Sequence, residues 1–222
     1  MKFQKFLLTA ALGLVMSALT AQAAPNIPIS GVPFNISGPG TYVLVRNLTY
    51  TGSGSAITIS NITGPVILDF KGFTLTGPGT VNLVGIGTGI TVQGNGLNTI
   101  TNIPVTIRNG TVSQFLVGLF AFELNNLTIT SMAFPLTYPG SSSATGIHFI
   151  LVSDSLINDC DISSALYGII DDLSREGNRY VSVFCGADNT LEVPHYAEGL
   201  TVKYCEFEDP TIEHPTNEDL IK

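Results

Sequence analysis

The sequence predicts an all-β chain of stacked coils, a parallel β-solenoid with about three strands per coil, on three observations. The first is an eight-residue pattern that returns as LDFKGFTL (68–75), VTIRNGTV (105–112), LTITSMAF (127–134), SLINDCDI (155–162), YVSVFCGA (180–187) and LTVKYCEF (200–207). Places one, three, six and eight are mostly apolar, while four and five are polar, glycine or aromatic. Period-two alternation marks a strand with one buried face, and the phase break between places three and six marks a bend. The second observation is spacing: starts at 105, 127, 155, 180 and 200 lie 22, 28, 25 and 20 residues apart. A unit that short cannot bury its own apolar face, so units must stack. The third is a further apolar strand upstream of most copies: AITIS (56–60), GITV (89–92), GLFAF (118–122), GIHFI (146–150), GII (168–170) and a poorer TLEV (190–193). An antiparallel sandwich would instead show hairpin turns between neighbouring strands, and would not repeat one residue type at place six.

The elements follow in order. Lys2 and Lys5 precede an apolar run from Phe6 to Leu19, broken only by Thr9 and Ser17, and Ala21-Gln22-Ala23 supplies a small–x–small cleavage pattern. That run is shorter than the roughly 20 apolar residues a membrane span needs. Residues 1–23 are therefore expected to be a signal peptide of bacterial style, cleaved before Ala24. Residues 24–209 then form a solenoid of roughly seven or eight coils, and 210–222 a polar tail. The expected location is extracellular, periplasmic or at the cell surface.

Bends between strands carry Asn, Gly, Asp and Ser, as in NGLN (95–98), NN (125–126) and SDS (153–155), residues that tolerate tight or left-handed conformations. Two excursions interrupt the stacking, PLTYPGSSSAT (135–145) and DDLSREGN (171–178). Cys160, Cys185 and Cys205 occupy place six of successive copies, after Met132 in the copy before. They are expected to stack inward as a ladder of reduced thiols, since buried Cys behaves as a small hydrophobe. The coil of YVSVFCGA fits worst, because Val181 and Val183 fall out of phase. No capping helix follows Phe207, and solenoids normally cover their last rung, so a partner or end-to-end self-association is one expected way of covering it.

Residues 33–80 carry the most specific motifs: Pro39, Gly40, Tyr42 and Leu44, then Ala56, Ile57 and Ile59, then Leu68, Asp69, Phe70, Gly72, Thr74 and Leu75. This stretch resembles the opening of secreted right-handed parallel β-helix proteins of the pectate-lyase-like superfamily. The resemblance implies a right-handed, single-stranded β-helix. It also implies polysaccharide as the ligand class, bound in a groove along one sheet. Lyases of that superfamily use Ca2+ held by carboxylates, with an Arg or Lys as base. Its hydrolases use Asp residues with a Gly-His-Gly and an Arg-x-Lys segment, and this chain has neither: His148 sits in GIHF.

The formal charge of −8 becomes −10 once Lys2 and Lys5 are removed. From Ala24 to Phe122 the only acid is Asp69, against Arg46, Lys71 and Arg108, whereas sixteen acids follow from Glu123 onward. An acidic balance excludes a nucleic-acid partner, which needs a basic face. A lyase would draw its metal ligands from Asp159, Asp161, Asp171 and Asp172 and its base from Arg175 or Arg179. Paired carboxylates suit a hard cation, but the competing reading is ordinary solvated loop charge. Tyr138 and Tyr196 are the exposed aromatic candidates for a sugar platform; Tyr and Phe otherwise stand mostly at apolar-phase positions and are expected in the core rather than on such a platform. His148 is expected to face outward, and no Cys/His spacing marks a metal site. Asn35, Asn47, Asn61, Asn109 and Asn126 open N-x-Ser/Thr triplets that Asn bends and Thr-rich strands generate by composition. The expected function is an exported scaffold that binds a polysaccharide or cell-surface component without catalysis or cofactor. The alternatives are a Ca2+-dependent polyuronate lyase and an adhesion or self-assembling module.

Overall fold

The computed structural model describes residues 25–81, 84–85, 87–94, 102–135, 144–162, 167–172, 178–185, 190–192 and 201–203. The expected signal peptide lies outside them, as do Cys205 and the expected tail. The first strands are β1 (Ile27–Ile29), β2 (Phe34–Ile36), β3 (Gly40–Leu44), β4 (Leu48–Thr49), β5 (Ser55–Ile59), β6 (Val66–Asp69) and β7 (Thr74–Thr76). A small hairpin of β8 (Thr80–Val81) and β9 (Val84–Gly85) follows. The longer strands are β10 (Thr88–Gln93), β11 (Val105–Ser113), β12 (Val117–Asn125), β13 (Leu127–Ala133), β14 (Thr145–Ser153) and β15 (Leu156–Ile162). The last are β16 (Tyr167–Asp172), β17 (Arg179–Cys185), β18 (Thr190–Glu192) and β19 (Thr201–Lys203).

Two parallel sheets carry the fold, and no helix occurs among the described residues. Sheet A runs β1-β3-β6-β11-β13-β15-β17-β19, with β4 and β7 beside it; sheet B runs β18-β16-β14-β12-β10-β5-β2. From β10 onward successive strands alternate between the sheets, and each pairs with a strand one coil further on, an arrangement consistent with a parallel β-solenoid. Pairing is residue on residue, so like side chains stack about 4.8 Å apart. On sheet B, Ile57, Ile90, Leu119, Ile147 and Ile169 form one buried column. On sheet A, Tyr42, Leu68, Ile107, Ile129, Ile157 and Tyr180 form another. Burying each such side chain stabilises by about 1.5–3 kcal/mol, so a column supplies what no single coil can.

The break between places three and six is a one-residue left-handed bend at place five. Asn109, Ser131 and Asp159 stand there with φ of 61°, 53° and 51°. A second bend row precedes place one at Asn126 and Asp154, with φ of 60° and 49°. Asn and Asp tolerate this region better than other non-glycine residues, which is why bends rather than strands collect them. Where the chain turns into sheet B, register sets Ala56, Gly89, Gly118, Gly146 and Gly168 over one another. A Cβ at Gly118 would stand 2.6 Å from Gly146 O and 2.7 Å from Phe134 Cδ1. The small residue is what lets a place-eight side chain close the interior.

The register corrects two expectations. Leu68 lies opposite Ile107, so the first copy starts at Val66, and its bend holds two extra residues before Thr74 rejoins Thr111. Tyr180 lies opposite Ile157 and Val183 opposite Cys160, so the fifth copy starts at Asn178 instead of Tyr180. Cys185 therefore faces Ile162, and the expected stack of Cys160 on Cys185 does not form. The inward alternation of Tyr180 and Val183 is satisfied only when the polar Asn178 takes place one.

Cys160 itself is buried and free, and its Sγ donates to Asn158 O at 3.3 Å. Burial, reinforced by the carboxylates of Asp159 and Asp161, pushes its pKa up to about 11. Cys160 is predicted to resist thiol reagents at pH 8 in the folded protein and to react only after unfolding, as followed by mass spectrometry. Gly118→Ala is predicted to lower stability by about 1–3 kcal/mol in denaturant unfolding, because backbone and an aromatic ring occupy the place of the new Cβ.

Candidate functional site

Three polar features stand out against the apolar columns. The first is Asp69, the lone acid of the first half, which is 1% exposed. Its Oδ1 accepts from Lys71 N at 2.9 Å and Asn109 Nδ2 at 3.3 Å, and its Oδ2 from Arg108 Nε at 3.0 Å. Lys71 Nζ stands 3.4 Å from the same Oδ2. The carboxylate thus ties the bend of one coil to the next. Burial raises its pKa, but the bonds from Lys71 N, Asn109 and Arg108 and the Arg108 charge outweigh burial and leave it below the ordinary value of 3.8.

The second is a polar network inside the solenoid. Asp171 follows Ile59, Val92, Ala121 and Phe149 in an inward column of sheet B, and is 1% exposed. Its Oδ2 accepts from Tyr180 OH at 2.6 Å and Asn178 Nδ2 at 3.1 Å. Asn178 also donates to Val152 O at 3.0 Å and accepts from Ser155 N at 3.1 Å. Ser155 Oγ in turn accepts from Leu127 N at 3.0 Å and donates to Ser153 O at 2.9 Å. These bonds stitch three successive coils together. Asp171 Oδ1 has no hydrogen-bond partner among the described residues.

These positions revise the picture drawn from sequence. Asp171 and Asp172 belong to β16 rather than to an excursion, and the Asp171 carboxylate points into the core. Asp159 and Asp161 are exposed on sheet A, where Asp159 is a bend residue accepting from Asn158 Nδ2 at 2.7 Å. The surface acids and the buried one are thus not on a common face. Among the described residues no three His, Cys, Asp or Glu side chains are grouped as metal ligands. Arg179 is exposed at the start of β17, its N–H donating to Ser155 O at 2.8 Å. Arg175, Tyr138 and Tyr196 lie outside the described residues.

The third feature is the outer face of sheet B. Residues Asn35, Thr58, Thr91, Phe120, His148 and Ile170 stack in one outward column. Gln93, Phe122 and Ile150 stack in the next. Phe120, Phe122, His148, Ile150 and Ile170 are all half-buried, and the Phe120 and His148 rings meet edge to face at 5.4 Å. An aromatic strip two columns wide therefore adjoins a hydroxyl-bearing stretch at Thr58 and Thr91. Both Phe side chains correct the expectation that such residues fill the core. Leu119 and Ala121 point inward, so Phe120 and Phe122 must point out, and the alternation of GLFAF already contains that signal.

Comparison with family models, with curated proteins and with solved structures finds no match. Among the described residues no helix is long and apolar enough to cross a membrane.

Asp69 generates a pH prediction. Its folded pKa lies below the unfolded value, so its stabilisation is present in full above about pH 4 and is lost as pH falls through the folded pKa. Asp69→Asn is predicted to lower stability at pH 7 by about 2–3 kcal/mol and to flatten the acid limb below about pH 4. Urea unfolding across that range reads both effects.

Proposed function

We propose that this protein is an exported right-handed β-helix scaffold of pectate-lyase-like type, with roughly seven or eight coils, which binds carbohydrate on its outer face. The observation that carries this reading is the strip formed by Phe120, Phe122 and His148 on sheet B. A pyranose presents a C–H face that packs on an aromatic ring, and hydroxyls at its rim that bond to polar neighbours. Thr58, Thr91 and Gln93 supply such neighbours in the same two columns. A surface built of evenly spaced rungs also suits a repeating ligand, whose successive sugars would meet hydroxyl and then aromatic rungs. Asp69 and Asp171 support the non-catalytic side of the reading, for both carboxylates are buried and bound to the fold. Bacterial origin, signal-directed export and a cell-surface or extracellular location belong to the same proposal.

Phe120→Ala and Phe122→Ala are predicted to weaken binding on a panel of immobilised glycans by about five- to tenfold each, with folding retained because both rings point outward. Unchanged binding in both variants contradicts the reading. Release of unsaturated sugar from polyuronate with added calcium, followed by ultraviolet absorbance, favours the lyase instead.

A further inference from the structure

The ion pairs of Asp69 leave two cations fixed at the surface. Arg108 and Lys71 both reach Asp69 Oδ2, at 3.0 and 3.4 Å, while their side chains are 38% and 53% exposed. Asp69 supplies one negative charge and the pair supplies two positive charges, so the cluster carries a net +1. No other acid lies between Ala24 and Phe122, and the nearest exposed carboxylates on sheet A, Asp159 and Asp161, stand two rungs away. Among the described residues Arg108 bonds only through Nε, so Nη1 and Nη2 remain as a fork. That fork is already oriented by a buried anchor, which lowers the entropy lost when it takes a second anion. The next two rungs of the column are the neutral Thr130 and Asn158, with Asn158 Nδ2 donating to Thr130 Oγ1 at 3.5 Å and to the exposed Asp159 Oδ2 at 2.7 Å.

We propose that Arg108 and Lys71 form an oxyanion subsite that takes an isolated acidic substituent, carboxylate or sulfate, on an otherwise neutral glycan. The inference rests on the carbohydrate reading above and adds, on sheet A and apart from the aromatic strip of sheet B, a subsite that sets the charge class of the glycan. Arg108 would grip the oxyanion through its fork, with Lys71 beside it as a point charge. The neutral rungs at Thr130 and Asn158 would bond to sugar hydroxyls. A densely charged polyanion is disfavoured, because a single net positive charge stands on a protein of net charge −8. An acidic peptide meets the same objection and makes no use of the hydroxyl-bonding rungs.

The test compares hydroxyethylcellulose with a lightly carboxymethylated cellulose, and adds a poly-glutamate peptide, by calorimetry on the whole protein. The wild type is expected to prefer the carboxymethylated chain by about tenfold at low salt, and to lose that preference at high salt. Arg108→Lys keeps the charge but loses the fork, and is expected to lose most of the preference. Lys71→Asn, which suits the left-handed φ of 55° there, leaves Arg108 on Asp69 and is expected to reduce the preference by about threefold. Circular dichroism confirms that each variant is folded. Should Arg108→Lys fail to fold, Lys71→Asn decides. Equal affinity for the two celluloses overturns the subsite and leaves the aromatic strip standing, as does a preference that survives both substitutions. Poly-glutamate binding as tightly as the glycan assigns the cations to a peptide partner and overturns the proposal. Binding of neither cellulose overturns this inference together with the reading beneath it.

Discussion

One backbone constraint organises the molecule: the left-handed bend at place five, held by Asn109, Ser131 and Asp159 in three successive copies. A continuous strand from place one to place eight would present its later apolar residues to solvent, because side chains alternate with period two. One residue at φ near +50° or +60° resets the phase, so places three, six and eight all face inward. Asn109, Ser131 and Asp159 each occupy that position, and their neighbours stack in register as a consequence. The bend also explains why polar residues interrupt an otherwise apolar pattern. They are there for backbone reasons before any question of ligand arises.

Stacking turns local polar groups into ties between coils. The Asp69 carboxylate joins its own bend to Arg108 and Asn109 one coil on. The Asn178 amide joins Asp171, Val152 and Ser155 deep inside. In both cases a buried carboxylate is bound by groups from other parts of the chain, as a carboxylate removed from water requires. Carboxylates committed in this way serve the fold. The outward columns are left as the chemically available surface, and they change from hydroxyl-bearing at Thr58 and Thr91 to aromatic at Phe120 and Phe122.

Much of this was legible in the sequence, and the failures have physical causes. The eight-residue period was readable because burial imposes period two on each leg. Its register slipped by two residues at Leu68 and at Tyr180. At Leu68 the bend is longer than in the other copies, and apolar residues on both sides of a long bend hide where the strand begins. At Tyr180 a polar Asn178 fills place one, where Val105 and Leu127 stand in earlier copies, so the pattern appears to start late. Cys185 then lands opposite Ile162, which no count of cysteines could reveal. Asp171 was misplaced for a related reason: an acid reads as loop, although GII lines up with GITV and GLFAF and carries Asp171 into the row of Val92 and Ala121. The outward Phe120 and Phe122 could have been read from phase alone. The cation pair on Asp69 could not, since residues 71 and 108 meet only after the coil closes.

The bend at place five is tested most directly at Ser131, whose side chain is exposed and whose φ is 53°. Glycine accepts that conformation freely, while a β-branched residue resists it. The measurement is the unfolding free energy of Ser131→Gly and Ser131→Val beside the wild type. The account predicts no loss for Ser131→Gly and a loss of about 1–2 kcal/mol for Ser131→Val. Stability unchanged by Ser131→Val, or raised by it as an extended strand would allow, would contradict the bend and the register built on it.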